Sequence, residues 1–294
     1  MPVLSAMVGA DLGTCEFEVT ARRLLAYAAG LGVTAPQVFD DASERFVGLP
    51  QFCVVAEWPW ASDPQRMRSL GLTAAEARQA LHLGQDSTFL RPIRPGMTLR
   101  VGGRLESARA TQAGTITVSR IETTDAATGD VCVTSLYTAL FRGVALQGEP
   151  RNLAEDLSRP AAGAAAPEDA HGALVVTEVA IGRELPHVYT ECSGIWNPIH
   201  TERRVALAMG LPDIVLHGTA TWALAGRELS RIHAAGQAQL TRLAGHFRAT
   251  VIPGTTIRIE HRVATRNPQR VGFTVFNAAG ETAIADGLAE FAES

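Results

Sequence analysis

"FRATVIPGTTIRI" occupies residues 247–259, and "FLRPIRPGMTLRV" occupies residues 89–101. In both, a phenylalanine (Phe247, Phe89) precedes a Pro-Gly pair by the same interval, and apolar and polar residues alternate afterwards. Alternation with period two marks a half-buried strand, while proline and glycine together supply the backbone angles of a tight turn. Each stretch is followed by further alternating segments that meet at a turn, "TTDAATGDVCVTSLYTALF" in the first half and "FNAAGETAIADGLAEFA" in the second. Each is preceded by sequence with helical spacing, "TAAEARQALHLG" in the first half and "HGTATWALAGRELSRIHAAG" in the second. The chain therefore reads as a duplication of one α+β unit, an antiparallel sheet wrapped around a central helix. An open sheet has an edge to protect, so the two units are expected side by side with their sheets continuous across the join.

Between the halves, residues 147–172 are rich in Ala, Pro, Gly and charge, with little to bury. They read as a linker between an N-terminal domain, residues 1–146, and a C-terminal domain, residues 173–294. Pro160 and Pro167 oppose a helix in the Ala-rich part.

Of the 294 residues, 46% are hydrophobic and 19% charged, a composition that folds. The net charge of -4 gives no general attraction to nucleic acid or to an anionic membrane. The opening "MPVLSAMVGADLGTCEFEV" has no basic region ahead of an apolar stretch, and no apolar run approaches the length of a membrane span. A cytoplasmic protein is expected. Cys15, Cys53, Cys132 and Cys192 are scattered with no C-x-x-C spacing, which predicts reduced thiols and neither a zinc site nor a redox dithiol. Nothing calls for a cofactor or a metal.

Chemistry concentrates in "YTECSGIWNPIHTERRVALAMGLPDIVLHGTATWAL", residues 189–224. Asn197, Pro198 and His200 make a tight polar turn that presents an imidazole just before a helical stretch. Leu216, His217, Gly218 and Thr219 open an apolar helix, whose first amides lack intrahelical partners and favour negative charge. This stretch is similar to the pattern SGDxNPxHxDxxxA followed by an IxHG helix start, and so the second half resembles the MaoC-type dehydratases. These are also called (R)-specific or type 2 enoyl-CoA hydratases, and they have the hot-dog fold. The first half, best in "HLGQDSTFLRPIRPGMTL", resembles the degenerate N-terminal hot-dog domain of two-domain members. The resemblance implies a double hot-dog protein that hydrates 2-enoyl thioesters, or dehydrates 3-hydroxyacyl thioesters, of CoA or a carrier protein.

That chemistry needs a base to take a proton from water, an acid to protonate the α-carbon, and donors to hold the charge growing on the thioester oxygen. In the family, an Asp and a His five residues later share the water. Here His200 keeps the second position and Ile195 stands at the first. By the same resemblance, the amide of Gly218 holds the thioester oxygen. Glu191, flanked by Tyr189 and Ser193, is the acid offered as a replacement, whereas Glu202 suits the first turn of a helix and Asp213 a solvated loop. Cys192 has no basic partner at a recognisable spacing. Asn197 is expected to shape the loop, and His217 to act as a buried hydrogen-bonding group. Together with Ser193 and Tyr189 they form the expected substrate wall, with Arg248, Arg258 and Arg262 as candidate phosphate contacts. The departure at Ile195 leaves two other readings open: a thioesterase on the same fold, or an accessory subunit that holds acyl thioesters unconverted. A homodimer of such chains fits either reading.

Overall fold

The computed structural model describes residues 2–77, 80–153, 172–233, 239–264 and 267–292. The strands are β1 (Val3–Leu4), β2 (Asp11–Glu18), β3 (Ala80–Phe89), β4 (Thr98–Thr111), β5 (Gly114–Asp125), β6 (Val131–Arg142), β7 (Leu146–Gln147), β8 (Arg151–Asn152), β9 (Val175–Ile181), β10 (Leu240–Phe247), β11 (Thr255–Val263), β12 (Arg270–Phe276) and β13 (Thr282–Phe291). The helices are α1 (Ala21–Gly30), α2 (Cys53–Ala61), α3 (Pro64–Ser69), α4 (Ala74–Ala77), α5 (Leu185–Ser193), α6 (Arg203–Ala208) and α7 (Gly218–His233).

Two compact units interleave along the chain. One comprises Met1–Glu18, Ala56–Arg91 and Met97–Gly163; the other comprises Val19–Val55, Pro92–Gly96 and Ala164–Ser294. The sheet of the first runs β2-β4-β5-β6-β3, and that of the second runs β9-β11-β12-β13-β10. All of these neighbours with a described register are antiparallel. The two orders are the same order, which is the duplication expected from the sequence. Phe89 and Phe247 end β3 and β10, and Gly96 (φ 86°) and Gly254 (φ 85°) make the left-handed turn before β4 and β11. A side chain at those angles would be strained, so the Pro-Gly pair fixes where each following strand begins.

Packing follows the alternation. Along β11, Ile257, Ile259 and His261 are buried while Thr256, Arg258 and Arg262 are exposed. α7 packs against β10 and β13; along it Thr219 to Gly226 are all buried, and Trp222 is fully enclosed. Small residues at Ala220, Ala223, Ala225 and Gly226 let neighbours approach closely; a Cβ on Gly226 would lie 2.5 Å from Gln51 Nε2. In the first unit, Trp60 near the end of α2 is 2% exposed and its Nε1 donates to Gly13 O at 2.8 Å.

One expectation needs revision. The helix read into "TAAEARQALHLG" is confined to α4, four residues opened by a reciprocal cap between Thr73 and Glu76. Residues from Ala80 onward are the strand β3, paired with β6 from Ala80↔Phe141 to Phe89↔Val133. Ladder pairing and burial of Gln85, Asp86 and Ser87 outweigh the weak helical spacing, and Gly84 is a poor helix former. At the start of the expected linker, β7 pairs in parallel with β1, and β8 pairs with β4. The rest of that linker, residues 154–171, lies outside the described residues.

Candidate active site

The site is assembled within the second unit. α5 starts with Pro186 in its first turn and ends at Gly194, whose φ of 71° closes the helix. It buries Pro186, Tyr189, Thr190 and Ser193, a stripe at helical spacing. α1 packs against α5, and a Cβ on Gly30 would lie 2.8 Å from Cys192 Cβ. α1 and the segment after it also bring in Tyr27, whose hydroxyl donates to Gln51 O at 3.0 Å and whose ring meets Tyr189 at 6.0 Å.

After Gly194 the chain turns sharply. Ser193 Oγ donates to Tyr189 O at 2.6 Å and accepts from Ile195 N at 3.1 Å, which draws Ile195 inward to 5% exposure. Asn197 caps the short 3-10 turn Pro198–His200, its side chain accepting from Ile199 N at 3.3 Å. Asn197 therefore shapes the loop, as its position suggests.

His200 emerges half-buried from this turn. Its Nδ1 lies 2.7 Å from Val215 O. A carbonyl can only accept, so Nδ1 carries the proton and Nε2 is the basic nitrogen. Burial holds the imidazolium down to a pKa of about 4, partly offset by the bond to Val215. At neutral pH the ring is an uncharged base.

His217 lies against it, the two rings stacked with centroids 3.7 Å apart and planes 24° apart. His217 Nε2 faces Ile195 O at 3.1 Å and Thr190 Oγ1 at 3.2 Å, so it is the donor. Its Nδ1 is buried with no hydrogen-bond partner among the described residues. Burial, then the neighbouring His200, pushes its pKa well below the ordinary value. His217 is thus a buried structural group that closes one face of His200 and ties the Ile195 backbone to the start of α7. No carboxylate is hydrogen-bonded or ion-paired to either imidazole among the described residues.

Gly218 is the first residue of α7. It directly follows His217, and a Cβ there would meet the Phe247 ring at 3.1 Å, so glycine accommodates the close approach of this ring to the helix start. Tyr189 is fully buried, and its hydroxyl donates to Thr219 Oγ1 at 3.2 Å.

His200, His217, Gly218, Asn197, Ser193 and Tyr189 therefore come together. Glu191 stands on the exposed side of α5, and Arg248 is exposed beyond β10. Arg262 is exposed and donates to Gly172 O at 2.7 Å, while Arg258 pairs with Glu260 at 3.2 Å and lies over the Phe276 ring. Asp213 pairs with Arg203 at 3.2 Å. Sequence reasoning missed Thr190, Tyr27 and Gln51. The first lies within the quoted motif, one residue from Tyr189; the last two carry no local signal, because their packing partners are distant in sequence.

Residues 170–283 match the MaoC like domain, and residues 6–135 match the FAS1-like dehydratase domain region. The chain carries a MaoC-like dehydratase domain. It resembles the peroxisomal hydratase-dehydrogenase-epimerase of Neurospora crassa, 24% identical over 99% of this chain and 32% of that protein. It also resembles 3-hydroxyacyl-thioester dehydratase Y of Mycobacterium tuberculosis, 27% identical over 85% of this chain and 84% of that protein. The chain thus spans about a third of the first relative and most of the second. A MaoC-like dehydratase from Phytophthora capsici has the same fold, with a TM-score of 0.81 at 21% identity over 98% of each chain. The architecture around the MaoC-like domain is a double hot-dog. No helix among the described residues is long and apolar enough to cross a membrane.

Proposed function

We propose that the chain hydrates 2-enoyl thioesters of CoA or a carrier protein, or runs the reverse dehydration, with His200 as the single proton-transfer group. The observation that carries this reading is the anchoring of His200 Nδ1 to Val215 O at 2.7 Å, which leaves Nε2 as a neutral base beside the start of α7. The match of residues 170–283 to the MaoC like domain supports the thioester substrate, as does the likeness to a 3-hydroxyacyl-thioester dehydratase.

In this scheme Nε2 of His200 takes a proton from water as the oxygen adds to the β-carbon. The imidazolium then returns that proton to the α-carbon on the same face. The charge on the thioester oxygen is met by the amide of Gly218, where a helix start offers unpaired N–H groups. Ile195 neither carries a proton nor holds the water, so turnover is slow compared with a site that has two such groups.

Incubation with crotonyl-CoA tests this. Loss of the conjugated absorbance with CoA still esterified is hydration; release of free thiol is hydrolysis; neither outcome describes a binding subunit. His200→Ala is expected to lower hydration about a hundredfold to ten-thousandfold. Because His200 protonates only near pH 4, the acid limb of the rate profile is expected there rather than near 6.5.

A further inference from the structure

We propose that the His200 site also moves a double bond, isomerising β,γ-unsaturated acyl thioesters to their conjugated α,β-isomers by a one-base proton shuttle. The inference rests on the reading that this site binds an acyl thioester with its oxygen at the start of α7.

The argument starts from what the site contains. Hydration asks for a base, a held water and a proton donor to carbon, and the groups around His200 supply one of these well. His217 Nε2–H is engaged by Ile195 O and Thr190 Oγ1, and its Nδ1 is sealed from solvent. Ser193 and Asn197 are spent on the loop backbone, Tyr189 on Thr219. Val215, whose carbonyl anchors His200, Ile195, whose carbonyl meets His217, and Phe247, whose ring lies against Gly218, are buried and apolar. Such surroundings suit a reaction that uses one titratable group and no water.

Allylic isomerisation is that reaction. His200 Nε2 removes a proton from the α-carbon, which lies between the thioester carbonyl and the alkene. The C–H electron pair becomes the new bond between carbonyl carbon and α-carbon, and negative charge moves to the thioester oxygen. The same Nε2–H then protonates the γ-carbon; the former alkene pair forms that C–H bond, and the double bond settles between α- and β-carbons. One C–H bond breaks, one forms, and no oxidant, reductant or water is consumed. Burial makes the imidazolium more acidic, which favours return of the proton to carbon and makes its removal from the α-carbon the slower step.

The test supplies vinylacetyl-CoA and a medium-chain β,γ-enoyl-CoA to the whole chain, with conjugated enoyl, 3-hydroxyacyl and free CoA products separated by chromatography. Conjugated product is expected from at least one substrate. Its formation should fall about a hundredfold or more in His200→Ala, and in His200→Asn, whose amide can still donate to Val215 O and preserve the loop. An α-deuterated substrate in ordinary water should deliver part of its label to the γ-carbon. No conjugated product, a rate indifferent to both His200 substitutions, or a γ-hydrogen drawn wholly from solvent would each overturn the inference. Hydration of crotonyl-CoA without isomerisation overturns it while leaving the proposed function intact; isomerisation without hydration does the reverse.

Discussion

The two units lay down the same strand order around different polar centres. In the first, Glu57 on α2 is 3% exposed, and both carboxylate oxygens are used: Ser135 Oγ donates to one at 2.6 Å and Gln85 Nε2 to the other at 3.0 Å. Gln85 and Ser135 are themselves joined to Ser87 at 2.8 Å each, so the network closes on itself. In the second, His200 is stacked on His217 and anchored through Nδ1 alone among the described residues, and its basic nitrogen is not the one that anchors it. A closed network locks a core, whereas a base anchored at one atom keeps the other for chemistry. The scaffold is the same in both units, and the proposed function places the chemical centre in one of them.

Large core truncations are the strongest way to break this comparison. Trp222→Ala in α7 and Trp60→Ala in α2 should each cost about 3–5 kcal/mol in denaturant unfolding, since both rings are essentially enclosed. Replacement by Phe separates them. Trp60 Nε1 donates to Gly13 O, so Trp60→Phe loses that hydrogen bond as well as volume. Trp222 Nε1 has no hydrogen-bond partner among the described residues, so Trp222→Phe should be the milder of the two. Equal losses would show that the two helices are not distinguished by their polar anchoring.

The response to pH sharpens the contrast, because the two centres have opposite signs. Burial raises the Glu57 carboxyl from 4.5 to about 7, against the lowering effect of Ser135 and Gln85. Its folded pKa exceeds the unfolded one, so its contribution is fully present below pH 4.5 and is lost as pH rises through 7. The loss is on the order of 3 kcal/mol. Glu57→Gln, with the Gln85 amide turned to present its oxygen, should remove this loss and raise stability at pH 8 relative to pH 5. A variant whose pH slope matches the parent protein would contradict the assignment.

The second unit behaves in the opposite sense. His261, 1% exposed on β11, has neither ring nitrogen hydrogen-bonded by a described residue, and burial followed by the nearby His233 lowers its pKa to about 4. Its folded pKa lies below 6.5, so stability is present above that value and is lost as pH falls towards 4. His261→Phe should therefore flatten the acid limb and gain about 1–3 kcal/mol at neutral pH, because an unpaired buried polar group is removed. A steeper acid limb in that variant would refute the argument.

How far these centres could be read in advance depends on the range of the interactions. The Pro-Gly turns, the strands after them and the turn before His200 are local, and Asn197 and Gly218 act within a few residues of their own positions. The same was true of α7, whose apolar spacing runs through sixteen residues. β3 was not legible, since its identity comes from a ladder with β6 some fifty residues on. Tyr27 and Gln51 escaped for the same reason: α1 and its following segment join the second unit although the sequence places them in the first half. Glu57 left one faint trace, a lone carboxylate within the apolar run "CVVAEWPWA".

The smallest expected effect concerns Glu191, the acid that sequence alone offers in place of the residue missing at Ile195. The buried stripe of α5 is Pro186, Tyr189, Thr190 and Ser193, and it is Thr190, not Glu191, that reaches His217. Glu191 sits on the exposed part of the helix, where it adds a secondary upward push on the Cys192 thiol, behind that thiol's own burial. A carboxylate cannot share a proton with a group it does not touch. Glu191→Gln should accordingly leave both thioester activities within about twofold of the parent protein, and stability within about 0.5 kcal/mol, as for an ordinary surface change. A fall of a hundredfold or more with unchanged folding would mean that α5 rotates or the loop opens when substrate binds. It would also mean that His200 does not work alone.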